Sequence, residues 1–167
     1  MLPTVLDIAG APCILRRAVA ADPDALIGLL ADDAISASRG DTGAAADRPA
    51  YERAFAAIDA DPAQQLLVAT IDDSVIATMQ LTVIPGLPRV GASRLQIEGV
   101  RVRGDQRNRG IGASMIRWAV EQAPTLGATL VQLTSDAARV DAHRFYERLG
   151  FSASHVGFKL TVAPAQQ

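Results

Sequence analysis

Ile97-Glu98-Gly99-Val100-Arg101-Val102-Arg103-Gly104-Asp105-Gln106-Arg107-Asn108-Arg109-Gly110-Ile111-Gly112-Ala113 runs from an apolar strand through an arginine-rich loop into a helix. Such a junction suits a phosphate. The backbone N–H groups of a helix's first turn have no partner within the helix, and the positive end of its dipole favours an anion. Gly110 and Gly112 lack Cβ, so an anion can come close to the backbone. The same glycines also suit a tight turn or close helix packing alone. The spacing is neither G-x-G-x-x-G nor G-x-x-x-x-G-K-[ST], which removes the dinucleotide and P-loop readings. Strict alternation fails within the strand: Leu95 and Ile97 share one parity, Val100 and Val102 the other, so a β-bulge is expected near Glu98-Gly99.

Outward from this stretch, Cys13 to Val19 suits a first strand. Asp22 and Pro23 then open a helix as N-cap and first helical residue. Leu26, Leu29, Leu30 and Asp33 share a face of that helix. Residues 36 to 49 form a Gly, Ala and Asp-rich loop, and helical spacing resumes from Pro49 to Asp61 through Tyr51, Phe55 and Ile58. Leu66–Ile71 and Val75–Ile84 read as a hairpin turning at Asp72-Asp73-Ser74. Pro85-Gly86-Leu87-Pro88 stops its second strand. Ile111–Leu126 reads as a helix with Ile111, Met115, Trp118, Ala119 and Ala123 inward. A strand over Thr129–Thr134 and a short helix over Asp141–Leu149 follow, the latter ended by Gly150. Residues 151 to 162 are expected to form strand or hairpin structure, and Pro164–Gln167 a frayed tail. The order implies one α/β (α+β layered) domain over residues 1–167, with a mixed sheet and no repeat.

The 167 residues carry a formal net charge of −2, so the chain as a whole has no pull toward nucleic acid or an anionic membrane. Basic charge is local: Arg94, Arg101, Arg103, Arg107 and Arg109 lie within sixteen residues, and Lys159 is the single lysine. Arginine's planar fork matches phosphate better than an ammonium does. One cysteine, Cys13, excludes an internal disulfide, and two separated histidines argue against structural zinc. With no long apolar run, a cytoplasmic protein without membrane or metal is expected.

The spacing R-x-x-G-x-G from Arg107 to Gly112 resembles the acyl-CoA pyrophosphate loop of the GNAT superfamily of N-acetyltransferases. A second run, Ala142-His143-Arg144-Phe145-Tyr146-Glu147-Arg148-Leu149-Gly150-Phe151, is similar to the A-x-x-F-Y-x-x-x-G-F hallmark of that superfamily. The resemblance covers about the whole chain. It implies a mostly antiparallel mixed sheet with a bulged central strand and helices on both faces. It also implies acetyl-CoA as donor and a primary amine of a small molecule or exposed protein as acceptor; a homodimer is common on the resembled fold, and the oligomeric state is left open. The cofactor-binding residues it implies are Val100, Arg101, Val102, Arg107, Asn108, Arg109, Gly110, Ile111, Gly112 and Ala113. Many relatives have glycine where this chain has Asn108, a residue that tolerates the left-handed region. Many carry an asparagine where this chain has Arg139, so that contact is not carried over. The C-terminal third is somewhat similar to the aminoalkylphosphonate N-acetyltransferases.

Acyl transfer to an amine needs an unprotonated amine, a polarised carbonyl and a proton for the departing thiolate. In the resembled family the tyrosine at position 146 is often the general acid; a half-buried tyrosine with a partnered hydroxyl is the other reading. Glu98, at the expected bulge, is costly to bury without a partner and is therefore a candidate base, or else an ion-pair partner of Arg94, Arg101 or Arg103. His143 and His155 are weaker candidates. Asp32, Asp33, Arg39, Asp41, Glu52 and Arg53 are candidates for acceptor recognition. A noncatalytic acyl-CoA-binding sensor is the alternative function. A nucleic-acid site on the arginines would require steep salt dependence.

Overall fold

The computed structural model describes residues 2–8, 10 and 12–162. The chain divides into two compact units at the Leu133/Thr134 boundary. The expected tail Pro164–Gln167 lies outside the described residues.

The first unit holds a six-stranded sheet in the order β1-β2-β3-β4-β5-β6. Its strands are β1 (Thr4–Leu6), β2 (Cys13–Arg17), β3 (Gln64–Ile71), β4 (Ser74–Ile84), β5 (Ser93–Val102) and β6 (Ala128–Leu133). All neighbours are antiparallel except β5 and β6, which are parallel. Between β2 and β3 lie the helices α1 (Pro23–Ala31), α2 (Ala34–Ala37) and α3 (Arg48–Ala60), and between β5 and β6 lies α4 (Ile111–Gln122). The mixed, mostly antiparallel sheet agrees with the expected fold class. β1 was not anticipated.

The hairpin forms as read. Asp72 and Asp73 both take positive φ, 47° and 61°, the pair of left-handed residues that a two-residue type I′ turn requires. The strands alternate between two buried layers. Leu66 and Val68 on β3 pack with Ala18, Leu26 of α1 and Phe55 of α3. Leu67, Ala69, Met79, Leu81, Leu95 and Ile97 take the opposite parity and are fully buried. On α4, Ile111, Met115, Ile116 and Ala119 are buried, and the helix packs on β4 and β5. Trp118, expected inward, is only half-buried, and Ile116 takes its share of the inner stripe.

Asp22 stands at the N-cap of α1 without bonding the helix. Its carboxylate accepts instead from both Arg16 guanidinium nitrogens, at 2.7 and 2.9 Å, and from the Val19 N–H at 2.7 Å. Those bonds hold its carboxyl below the ordinary range, the Arg16 contact most of all. Cys13 is fully buried on β2, and burial pushes its thiol pKa up.

The second unit contains α5 (Val140–Arg148). Its end is a Schellman motif: Phe151 N–H donates to Tyr146 C=O, Gly150 N–H donates to Glu147 C=O, and Gly150 takes φ 92°. Residues 151 to 162 form neither strand nor hairpin, contrary to expectation. Their alternation suits a strand, but a strand also needs a neighbour to pair with, which alternation alone does not supply.

Candidate active site

The site begins at the bulge. Thr78 pairs with Arg101 and Gln80 with Glu98, so Met79 faces both Gly99 and Val100. Gly99 takes φ 61°, a conformation in which a residue without Cβ carries no penalty. The slip inferred from parity is therefore present, at Gly99-Val100.

Pairing with β6 ends one residue earlier, at Ile97 with Leu133. From Glu98 to Val102, β5 has a strand neighbour on its β4 side only, so alternate backbone groups there point out of the ladder. The Val100 carbonyl accepts from the Arg101 guanidinium at 2.8 Å, and the Val102 carbonyl from Arg107 Nε at 3.1 Å. Two of the three arginines expected to meet a cofactor thus also brace the strand's own backbone.

The loop beyond has the expected left-handed corners. Asn108 takes φ 62° and Gly110 φ 84°, after which α4 starts at Ile111. Ser114 N–H is the first helical donor, bonding the Gly110 carbonyl. The N–H groups of the preceding turn, through Ala113, are therefore beyond reach of intrahelical acceptors. These residues fit a pyrophosphate: a helix start, two left-handed corners and arginine on either side of Asn108. The N-terminal segment lies alongside, with Ser114 Oγ donating to the Asp7 carbonyl at 2.6 Å. A Cβ on Gly10 would sit 2.9 Å from an Arg109 guanidinium nitrogen.

Arg103, Arg109 and Arg101 have further partners. Arg103 binds Asp105 through two bonds, holding that carboxyl down to about 2, and Arg109 donates to the Gln106 side chain. Arg101 reaches toward α2, donating to Ser36 Oγ at 2.6 Å and lying 3.7 Å from Asp33. Asp33 caps α2 by accepting from Ser36 N–H at 2.8 Å. A half-buried polar clasp therefore joins the strand beyond the bulge to the short second helix. Ser36 is buried within it, and nothing in its Ala-rich surroundings marked it in advance.

Glu98 is exposed, which corrects the expectation of a carboxylate buried in an apolar strand. It continues the regular alternation of Gln96, ahead of the register shift. Among the described residues it forms no ion pair, with Arg94, Arg101 and Arg103 included. It shares a sheet face with Gln80, Thr82 and Gln96, since cross-strand partners and next-but-one residues point the same way. That is the face of Leu66 and α1. Gln132 of β6 extends the row, donating to Gln96 Oε1 at 2.7 Å. This polar row was missed, although Gln96 and Glu98 alternating with Leu95 and Ile97 carried the signal.

Of the residues considered for an acceptor, Asp33 is spent on the clasp, Asp41 accepts from the Tyr51 hydroxyl at 2.9 Å and Glu52 pairs with Arg48. Asp32 lies 3.9 Å from Arg107. Asp41 and burial together raise the Tyr51 phenol pKa, burial first.

In the second unit, Tyr146 is half-buried between Phe145 and Phe151, with ring centroids at 5.1 and 6.0 Å in edge-to-face packing. His143 Nε2 lies 2.8 Å from the Asp136 carbonyl and His155 Nδ1 2.8 Å from Ser154 Oγ. Among the described residues no three His, Cys, Asp or Glu side chains could hold a metal, and no helix is long and apolar enough to cross a membrane.

The bulged strand thus parts from its parallel neighbour beside an arginine-flanked helix start. Residues 31–151 match the model of the acetyltransferase (GNAT) family, and the chain belongs to that family. It is 30% identical over 146 residues to an aminoalkylphosphonate N-acetyltransferase of Salmonella typhimurium, covering 87% of this chain and 89% of the relative. A solved structure described as a transcriptional regulator from Bacillus halodurans C-125 is 38% identical with a TM-score of 0.83, covering 90% of this chain and 99% of that one. Glucosamine-6-phosphate N-acetyltransferase from Arabidopsis thaliana shares the fold at 19% identity, with a TM-score of 0.73 over 90% of this chain and 99% of that one. The chain is an N-acetyltransferase.

Proposed function

We propose that the protein transfers an acetyl group from acetyl-CoA directly to the primary amine of a small molecule, with aminoalkylphosphonates first among acceptors to try. The observation that carries this reading is the parting of β5 from β6 after Ile97, which leaves β5 with a strand neighbour on its β4 side only in the residues that lead into the Arg107–Gly112 loop. When bound, acetyl-CoA supplies an activated thioester; the rest is done by the chain. The first-turn N–H groups of α4, with Arg107 and Arg109, hold the pyrophosphate. Backbone groups around Val100 and Val102 align the pantetheine arm and polarise the acyl carbonyl. Glu98, outward and without an ion-pair partner, takes the proton from the incoming ammonium. Tyr146 Oη holds a proton for the departing sulfur. The relative from Salmonella supports the aminoalkylphosphonate class as acceptor.

Glu98→Gln is expected to lower kcat/KM about a hundredfold near neutral pH, with partial recovery at higher pH as the amine loses its own proton. Tyr146→Phe is expected to lower kcat about a hundredfold while calorimetric coenzyme A binding is unchanged. Wild-type rates in either variant remove that residue from the mechanism. The second reading, an acyl-CoA-binding sensor, is favoured by the Bacillus relative described as a regulator. Tight coenzyme A binding with no thiol release on any amine would select it.

A further inference from the structure

On the face of the sheet that carries Glu98, a chain of polar side chains begins at the end of α3. The Asp61 carboxylate accepts from the Ala63 N–H at 2.9 Å and from Gln64 Nε2 at 3.3 Å. Gln64 Oε1 in turn accepts from Gln80 Nε2 at 2.5 Å and from the Thr82 hydroxyl at 3.4 Å. Asp61, Gln64, Gln80 and Thr82 are all half-buried.

The carboxylate decides how the amides point. It accepts and does not donate, so Gln64 must turn its amide nitrogen to Asp61 and its oxygen to Gln80. Gln80 must then meet that oxygen with its own nitrogen, which turns Gln80 Oε1 away from β3. Among the described residues no donor reaches Gln80 Oε1. The other amide pair on this face, Gln132 with Gln96, has no carboxylate to fix its sense, for Gln96 Nε2 ends on the Ile97 carbonyl at 3.5 Å.

Gln80 is the direct cross-strand partner of Glu98, just ahead of the register shift. Such partners have Cβ atoms about 5 Å apart, so the amide oxygen and the exposed carboxylate share one patch of the face. Both are acceptors of hydrogen bonds. Their complement is a cation with several protons, and a primary ammonium carries three.

We infer that Gln80 Oε1 accepts an N–H of the acceptor's ammonium beside Glu98, and that Asp61 and Gln64 are positioning residues that hold the Gln80 amide in that sense. The inference rests on the transfer reading above, in which Glu98 takes one ammonium proton. Two N–H bonds remain after that step, and the one held by Gln80 orients the nitrogen while its lone pair attacks the acyl carbonyl. The same pair selects an amine over an alcohol, because a single O–H cannot satisfy both oxygens.

The test reads binding apart from turnover. Aminomethylphosphonate and hydroxymethylphosphonate are each titrated by calorimetry into the full chain saturated with coenzyme A, and the amine should be preferred by about tenfold or more. Gln80→Met keeps the bulk without the amide and should cut that preference by about fivefold or more, with coenzyme A binding unchanged. Gln64→Met should cut it as well. Asp61→Asn combined with Gln64→Glu exchanges amide and carboxylate yet still offers Gln80 an acceptor, so it should restore the preference, which a merely packed row would not do. Equal binding of the two phosphonates by the wild type, or an undiminished preference in Gln80→Met, overturns the inference. So does a double variant no better than Gln64→Met. A preference for the amine without thiol release would uphold the ammonium site and overturn transfer, and failure to bind either compound would overturn both. Should Gln80→Met fail to fold, the Gln64 variants decide.

Discussion

Asn108 is the residue on which the arginine-rich loop turns, holding φ 62°. An asparagine side chain can bond locally and so tolerates the left-handed region, whereas a β-branched residue there meets its own backbone. Asn108→Gly is therefore expected to keep donor binding within about threefold. Asn108→Val should cost about 1–2 kcal/mol in loop conformation, seen as a rise of about tenfold or more in the coenzyme A dissociation constant by calorimetry. The left-handed tolerance of Asn108 was legible from residue type alone. The internal engagements of the arginines were not. Arg103 with Asp105 and Arg101 with Ser36 depend on which way a strand turns after a bulge, and a cluster of like residues in sequence says nothing about which of them face solvent.

Among the elements, β5 was the best read, because parity is a counting argument and an extra residue must show as a change of parity. The slip near Glu98-Gly99 is the bulge at Gly99-Val100. Glu98 itself is exposed rather than buried, lying in regular alternation with Gln96 just ahead of the bulge. The Ser36 clasp belongs to this scale as well. Arg101→Met removes the guanidinium that links β5 to α2 but keeps the stem's bulk. It is expected to raise KM for the amine more than it changes coenzyme A binding, since α2 loses its tie while the anion loop keeps its own. An equal loss in both would mean that Arg101 serves the donor directly. β1 escaped notice because three residues are too few for alternation to register. The last strand was expected from a pattern that is present, but pairing is a property of two segments and only one of them is visible in a pattern.

For the whole molecule, the Asp22 ion pair sets the response to acid. Its carboxyl lies below the ordinary 3.8 of an aspartate, first through the Arg16 bond and then through the Val19 N–H. A carboxyl that is lower in the folded chain than in the unfolded one stabilises above the unfolded value, and that stability is lost as pH falls through the folded value. Urea midpoints should therefore hold between pH 7 and about 5 and fall steadily below about 4. Asp22→Asn should lower stability by about 1–3 kcal/mol at pH 7, with a smaller difference from wild type at low pH. Cys13 leads to a different kind of consequence. It is the one cysteine of the chain, sealed in β2, with its thiol pushed away from the reactive thiolate form. A coenzyme A thiol is the leaving product of the proposed reaction, and the folded protein offers it no sulfur with which to form a mixed disulfide. Oxidised coenzyme A is therefore expected to leave the folded protein unmodified and to form a mixed disulfide with Cys13 only once β2 leaves the sheet, a difference that intact mass before and after unfolding would read.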